Sequence, residues 1–333
     1  MPHIEGGPSS ELDMSVIVVG YNQPRSLALT MQMLGAQTFD GSYEVIVADD
    51  GSSAGFFAEQ RDAMNDSPIP FTYLWQQDRG FRAGQARNRG MDLARGRLLL
   101  FLDGDLVPDT DTLQRHAEAH TQPKMMIGSA RKWCGEFNDE DYASLSVYTV
   151  AEAVRFLREL EPSPVNASRE AGEREVRRRW LAGSHPARAA LIGGTSFPKP
   201  EGVYFDEEYT GWGFEDLDFA LRLHEQHGYT PDYRDDITLF HVETSAGVGN
   251  VFRQGDHSRI VQYCRNVFRF SDRHPDVAGD DIFFGFARFE LDEATNTWRV
   301  VPRPEAGTYD PEERVAQMRR WLAANDSRDV TQS

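Results

Sequence analysis

Three short apolar runs, two of them rich in β-branched residues, each end in a polar cluster. That repetition constrains the fold more than any other feature of the chain. Ser15–Gly20 closes on Gly20-Tyr21-Asn22, Tyr43–Ala48 on Asp49-Asp50-Gly51-Ser52, and Arg97–Leu102 on Asp103-Gly104-Asp105. Runs of this length bounded by Gly and Asp read as buried strands. Between them Ser26–Ala36 (after Pro24), Ala54–Asn65 and Gly84–Ala94 read as helices, while Pro68 and Pro70 precede a further strand, Phe71–Gln76. Strands alternating with helices predict an α/β fold with a mainly parallel sheet and crossover connections. Ligands of such sheets bind beyond the carboxyl ends of the strands, where all three polar clusters lie.

The rest of the chain is less regular. Glu159–Pro186 carries mixed charge, Pro162, Pro164 and the basic run Arg177-Arg178-Arg179. It reads either as an exposed helix flanked by loops or as a mobile lid over a ligand. Order returns at Ala190–Phe197 and continues through Tyr209–Asp218 into a helical stretch ending at His227. A strand over Thr238–His241 and a helix over Ser258–Phe270 follow. The tail holds an expected hairpin, Phe283–Phe289 with Thr297–Val301 and Asn296 near the turn, and a helix over Pro311–Ala324. Residues 1–13 read as a disordered leader.

Of the 333 residues 40% are hydrophobic, enough for a substantial core. The formal net charge of -18 repels duplex nucleic acid and anionic membranes. It still admits a small anionic ligand wherever a divalent cation reverses the local field. Two cysteines, Cys134 and Cys264, are too few for a disulfide framework and read as reduced thiols. The N-terminus lacks a charged-then-apolar layout, and the longest apolar run, Leu98–Leu102, is far shorter than a membrane span. The expectation is a cytoplasmic chain with no integral membrane segment.

Asp103-Gly104-Asp105 places two carboxylates around a Gly at the end of an apolar strand. Hard oxygen ligands suit Mg²⁺ or Mn²⁺, which bind phosphate oxygens at the same time, and a cation there would neutralise a departing diphosphate. Two solvated turn carboxylates are the plainer reading of such a triplet. One of Asp49 and Asp50 suits hydrogen bonds from a ribose or a pyrimidine N–H, and the other suits a helix cap. Tyr21 and Asn22 either contact a base or form the turn before Pro24. Arg79, Arg82, Arg87 and Arg89 cluster in a Gly-containing stretch entering a helix, and read either as an anion-binding context in an acidic chain or as solvated surface arginines. In Gly211-Trp212-Gly213-Phe214-Glu215-Asp216-Leu217-Asp218, Trp212 offers a platform for a sugar ring. Glu215 and Asp216 precede a helix, where one is a candidate general base and the other a cap. Asp218, inside the helix, reads as structural. His241, ending an apolar strand, is either a hydrogen-bonded structural residue or a metal ligand.

Ser15-Val-Ile-Val-Val-Gly-Tyr-Asn22, Val45-Ile-Val-Ala-Asp-Asp-Gly-Ser52, Gly84-Gln-Ala-Arg-Asn-Arg-Gly90 and Phe101-Leu-Asp-Gly-Asp105 occur in the order found in the large inverting glycosyltransferase family two. The chain thus resembles enzymes of the GT-A fold (nucleotide-diphospho-sugar transferases), which implies an α/β architecture with a Rossmann-like mixed sheet flanked by helices and a C-terminal extension. Gly211–Asp216, with Asp218 and Arg222, resembles the acceptor-side motif of β-1,4-galactosyltransferases and of bacterial chondroitin-type polymerases. Around Trp212-Gly213 it is also similar to the retaining polypeptide N-acetylgalactosaminyltransferases. The resemblance spans Ser15 to about His241 and implies a domain over 14–270, with a nucleotide-binding half near 14–130 and an acceptor-side half near 185–270. Residues 271–333 would be an extension. It further implies that Tyr21, Asn22, Asp50, Arg82, Arg87, Asp103 and Gly104 bind the nucleotide sugar. Asp105 and His241 would hold the divalent cation (Mn²⁺ or Mg²⁺). Trp212, Gly213 and Glu215 would bind the acceptor, and Asp216 would be the general base. The expected donor is a UDP-sugar, and the acceptor a glycan, a peptide or a small molecule.

Other readings fare less well. A sugar nucleotidyltransferase would carry a Gly-rich basic phosphate loop, and Gly20-Tyr-Asn-Gln-Pro24 is not one. A nicotinamide dehydrogenase would carry G-x-G-x-x-G after the first strand. A catalytically silent carbohydrate-binding protein would not need Asp103, Asp105 and Asp216.

Overall fold

The computed structural model describes residues 11–55, 58, 69–244, 257–277, 289–292, 294–295, 297–300 and 311–325. Residues 1–10 of the expected leader lie outside them, whereas Leu12 and Asp13, expected in that leader, already stand in the first strand; most of the helix expected over Ala54–Asn65 and the hairpin residues 283–288 and 296 also lie outside the described residues. The strands and helices run β1 (Leu12–Gly20), α1 (Pro24–Leu34), β2 (Tyr43–Asp49), β3 (Phe71–Trp75), α2 (Ala83–Leu93), β4 (Gly96–Asp103), β5 (Leu106–Pro108), α3 (Thr112–Ala119) and β6 (Met125–Phe137). Then follow α4 (Asp139–Val147), α5 (Val150–Glu159), α6 (Pro164–Leu181), β7 (Thr195–Pro198), α7 (Glu215–His227), β8 (Thr230–Thr244), α8 (His257–Arg273), β9 (Phe289–Asp292), β10 (Thr297–Val300) and α9 (Pro311–Asn325).

Eight strands form one mixed sheet in the order β3-β2-β1-β4-β7-β6-β8-β5. β1 pairs in parallel with β2 and β4, and β2 with β3. β7 runs antiparallel to β4 and β6, and β5 antiparallel to β8. The mixed α/β architecture is the one expected from the sequence. Val16-Ile17-Val18 shows why the apolar runs are continuous rather than alternating. Val16 and Val18 pack with Leu27, Met31 and Leu34 of α1, while Ile17 faces Gly90 of α2. A strand covered on both faces needs apolar side chains at every position.

The segment left between two readings resolves into helix. Ser163 accepts a hydrogen bond from Asn166 N–H at the start of α6, and Pro164 opens its first turn. Arg178 and Arg179 are exposed as a solvated helix predicts, but Arg177 is only 1% exposed, ion-paired with Glu173 and stacked over Tyr233. The correction has a simple cause: neighbouring helical residues point about 100° apart, so one of three consecutive arginines faces inward.

The chain divides into two compact units: Met1–Asp206 with Phe219–Gly247, and Glu207–Asp218 with Val248–Ser333. The first carries the large sheet. In the second, Ile260, Val261, Cys264, Val267 and Phe268 of α8 pack with Met318 and Trp321 of α9. There β9 and β10 form a hairpin, whose first described strand residue is Phe289. Both cysteines are free thiols. Among the described residues no helix is long and apolar enough to cross a membrane.

Candidate active site

At the end of β2 the adjacent carboxylates have different tasks. Asp49 Oδ1 accepts from the N–H groups of Gly51 and Ser52 at 2.9 and 2.7 Å, and its Oδ2 accepts from the Tyr73 hydroxyl. It fixes the turn. Asp50, 4% exposed, accepts from Gln76 Nε2 and from Arg82 N–H, each at 2.7 Å. Burial pushes its carboxyl up to about 6 despite those two donors. Gln76 Oε1 is buried with no partner among the described residues, which leaves an acceptor beside Asp50. Tyr21 donates to Asp78 Oδ2 at 3.1 Å. Asn22, with a φ of 51°, ties the β1 turn to the β2 turn through Ser52 Oγ at 2.8 Å and Ser53 N–H at 3.0 Å.

The next strand end brings together residues far apart in sequence. Arg87 on α2 is buried, and its guanidinium meets Asp103 Oδ1 at 3.1 Å and lies over the Phe205 ring. Gly104 N–H donates to Val19 C=O at 2.7 Å, which seats the Asp103–Asp105 bend against the end of β1. Asp105 Oδ2 lies 3.4 Å from Gln23 Nε2 and 3.9 Å from His241 Nε2. The β5–β8 ladder sets that approach by pairing Leu106 with His241. Burial pushes the Asp105 carboxyl up to about 7, and the charge of Asp103 adds to the effect while Arg131 opposes it. Arg82, by contrast, reaches this region through its backbone N–H, and its Nε turns to Arg79 C=O at 3.3 Å.

Asp105, with a carboxylate and an imidazole side by side and a second carboxylate nearby, offers a donor pair suited to a hard divalent cation. Among the described residues no group of three or more His, Cys, Asp or Glu converges on one point. The residues present would therefore supply only one or two ligands to such a cation.

Sequence reasoning missed four residues here. Arg131 and Trp133 stand two apart on β6, so their side chains share one face. Arg131 donates to Gly193 C=O at 2.7 Å, and the Trp133 ring lies 4.0 Å from the His241 ring, its partner across the ladder. Glu170 of α6 in turn accepts from Trp133 N–H at 2.8 Å. A Cβ on Gly193 would stand 2.2 Å from Asp103 Oδ2, so the Gly193-Gly194 pair was the available signal of a close backbone approach. Gln76 was readable only as a strand end.

The second unit holds the Gly211–Asp218 turn. Gly211, Gly213 and Phe214 all have positive φ, at 81°, 100° and 73°. Trp212 is 42% exposed, with its ring stacked on Tyr263. Glu215 is buried, Asp216 is partly exposed, and both lie in the first turn of α7. Asp218 is fully buried and accepts from Arg273 at 2.9 Å and His274 at 3.0 Å, in keeping with its structural reading.

The defining pattern of glycosyl transferase family 2 matches residues 15–181, about half of the chain. The hyaluronan synthase of Pasteurella multocida is 29% identical over 245 residues, covering 69% of this chain and 24% of that protein. An uncharacterized glycosyltransferase of Bacillus subtilis (strain 168), YfnE, is 27% identical over 82% of this chain and 73% of its own length. The validoxylamine A glucosyltransferase of Streptomyces hygroscopicus subsp. limoneus is 27% identical over 79% of this chain and 57% of its own. The chain thus spans about a quarter of the first relative and just over half of the third. With that match, and with the mixed nucleotide-sugar-transferase sheet carrying its polar strand ends, the chain belongs to glycosyl transferase family 2.

Proposed function

We propose that the protein transfers a sugar from a nucleotide-sugar donor, a UDP-sugar, to an acceptor hydroxyl with inversion at the anomeric carbon. The observation that carries this is the pairing of Arg87 with Asp103 and of His241 with Asp105 at the bend between β4 and β5, with Asp50 at the end of β2 within the field of Arg87. Asp50 accepts a hydrogen bond from the base, with Tyr21 and Asn22 at the same turn. Arg87 and Asp103 meet the diphosphate. Asp105 and His241 would hold a Mn²⁺ or Mg²⁺ ion, which when bound stabilises the charge that develops on the leaving diphosphate. Asp216 takes the proton of the acceptor hydroxyl, and the oxygen forms its bond to the anomeric carbon. The bond from that carbon to the phosphate oxygen breaks, and its electron pair leaves with the nucleotide. Trp212, Gly213 and Glu215 bind the acceptor, which is a glycan, a peptide or a small molecule.

A panel of UDP-, GDP- and dTDP-sugars with Mn²⁺ or Mg²⁺, read as released nucleotide, tests the proposal. The expected outcome is release of UDP from one donor, lost in EDTA. No release from any donor, together with no metal-dependent nucleotide binding, would favour a carbohydrate-binding protein.

A further inference from the structure

The turn that bears Glu215 and Asp216 is strained. Three of its residues are left-handed, and Phe214, at a φ of 73°, is not a glycine. Such conformations persist only where the surroundings over-determine them. In the second unit the surroundings are one face of α8. Asn266, 2% exposed, turns its side-chain amide onto the carbonyls of both Gly211 and Gly213, at 3.3 and 3.0 Å. One turn earlier Tyr263 stacks on Trp212 and leans on Phe214, with ring centroids 6.0 and 5.8 Å apart. Gln262 lies so close that a Cβ on Gly211 would stand 2.6 Å from its own Cβ. At the far end of the same helix Arg273, and just beyond it His274, anchor Asp218.

We propose that Asn266 is a positioning residue for glycosyl transfer: it fixes the turn that aims Asp216 at the acceptor. The role rests on the reading of Asp216 as general base. It also gives a catalytic task to a helix that lies outside the residues matched by the family pattern. The amide is suited to the task because its two N–H groups can serve two carbonyls at once. Aspartate has nearly the same shape but no N–H, and it would set carboxylate oxygens against those carbonyls.

The test compares wild type, Asn266→Asp and Asn266→His with a donor and acceptor that wild type uses, alongside Mn²⁺-dependent UDP binding. For Asn266→Asp the expected loss in kcat is roughly 10–100-fold, the scale of a misplaced reacting group. The donor KM and UDP affinity should stay within about two-fold, because ground-state donor binding is untouched. Asn266→His, which retains an N–H at the δ position, should recover part of the rate. An unchanged kcat in Asn266→Asp overturns the role. So does a loss shared equally by UDP binding and not reversed in Asn266→His. A wild-type protein that releases nucleotide from no donor overturns the transfer reading itself, and this role with it.

Discussion

Asp50 is a buried carboxylate whose proton affinity is raised, and that has consequences in two directions. With its carboxyl at about 6 in the folded chain against 3.8 for the free side chain, the native state binds the proton more tightly than the unfolded state. Ionising Asp50 therefore costs stability, by up to about 3 kcal/mol. The cost is absent below about pH 4, grows between pH 4 and 6, and is constant above. Asp50→Asn should remove it. The Gln76 amide can flip to present its unpartnered Oε1 to the new NH₂, so thermal melts of this variant should decline less between pH 4 and 6 than those of wild type, Asp105 with its raised carboxyl adding a decline of its own in both. Function should move the opposite way. Only the ionised carboxylate accepts from a base N–H with both oxygens, so wild-type UDP affinity should weaken below about pH 6, a slope that titration calorimetry would detect and Asp50→Asn would lack. At Asp216 the expected split is different: Asp216→Asn abolishes transfer, by at least roughly 100-fold, and leaves nucleotide affinity nearly intact. Lost donor binding in that variant would sink the assignment of the base.

Among the elements, the contact of α2 with β1 shows how packing overrides propensity. Gly90 sits inside α2, where Ala would favour the helix by about 1 kcal/mol. A Cβ there, however, would stand 2.7 Å from Ile17 Cγ2, on a central strand buried on both faces. Overpacking of that kind costs about 1–3 kcal/mol, so the two effects leave Gly90→Ala destabilised. Chemical denaturation should give a lower midpoint at unchanged slope; a raised midpoint would mean the strand yields more easily than its burial implies. Helix ends were more legible than the sequence reading allowed. Thr149-x-x-Glu152 and Asn138-x-x-Asp141 form reciprocal capping boxes at the starts of α5 and α4, and the first is readable from the chain alone. β6 was not legible. Its Gly128, Lys132 and Gly135 interrupt any alternation, because its pairing with β8 contains register shifts.

On the scale of the whole molecule, the charge of -18 sets what can bind. Duplex DNA should not be retained even at about 50 mM salt, where counterion release favours binding most. A mobility-shift assay would reveal any retention. A nucleotide diphosphate enters the same field only with charge compensation. Its affinity should therefore fall sharply on chelation, and a metal-independent affinity would argue for Arg87 and its neighbours as the whole phosphate site.

What the sequence determined by itself is the alternation of apolar runs and helices, and therefore the parallel part of the sheet, β3-β2-β1-β4, because hydrophobic periodicity is a local property and short crossovers join its strands. It also determined which residues stand at the strand ends: Tyr21 and Asn22, Asp50, and Asp103 with Asp105. Which of those carboxylates fixes its own turn and which takes donors from a neighbouring strand end and helix start was decided only by the tertiary structure. Asp49 and Asp50 are adjacent and chemically alike, yet Tyr73, Gln76 and Arg82 treat them differently. The same holds for Arg87 among four arginines, for Arg177 among three, and for His241, which reaches Asp105 through a ladder that pairs residues more than 130 positions apart. Burial and pairing are sums over neighbours distant in the chain, and no window along the sequence contains them.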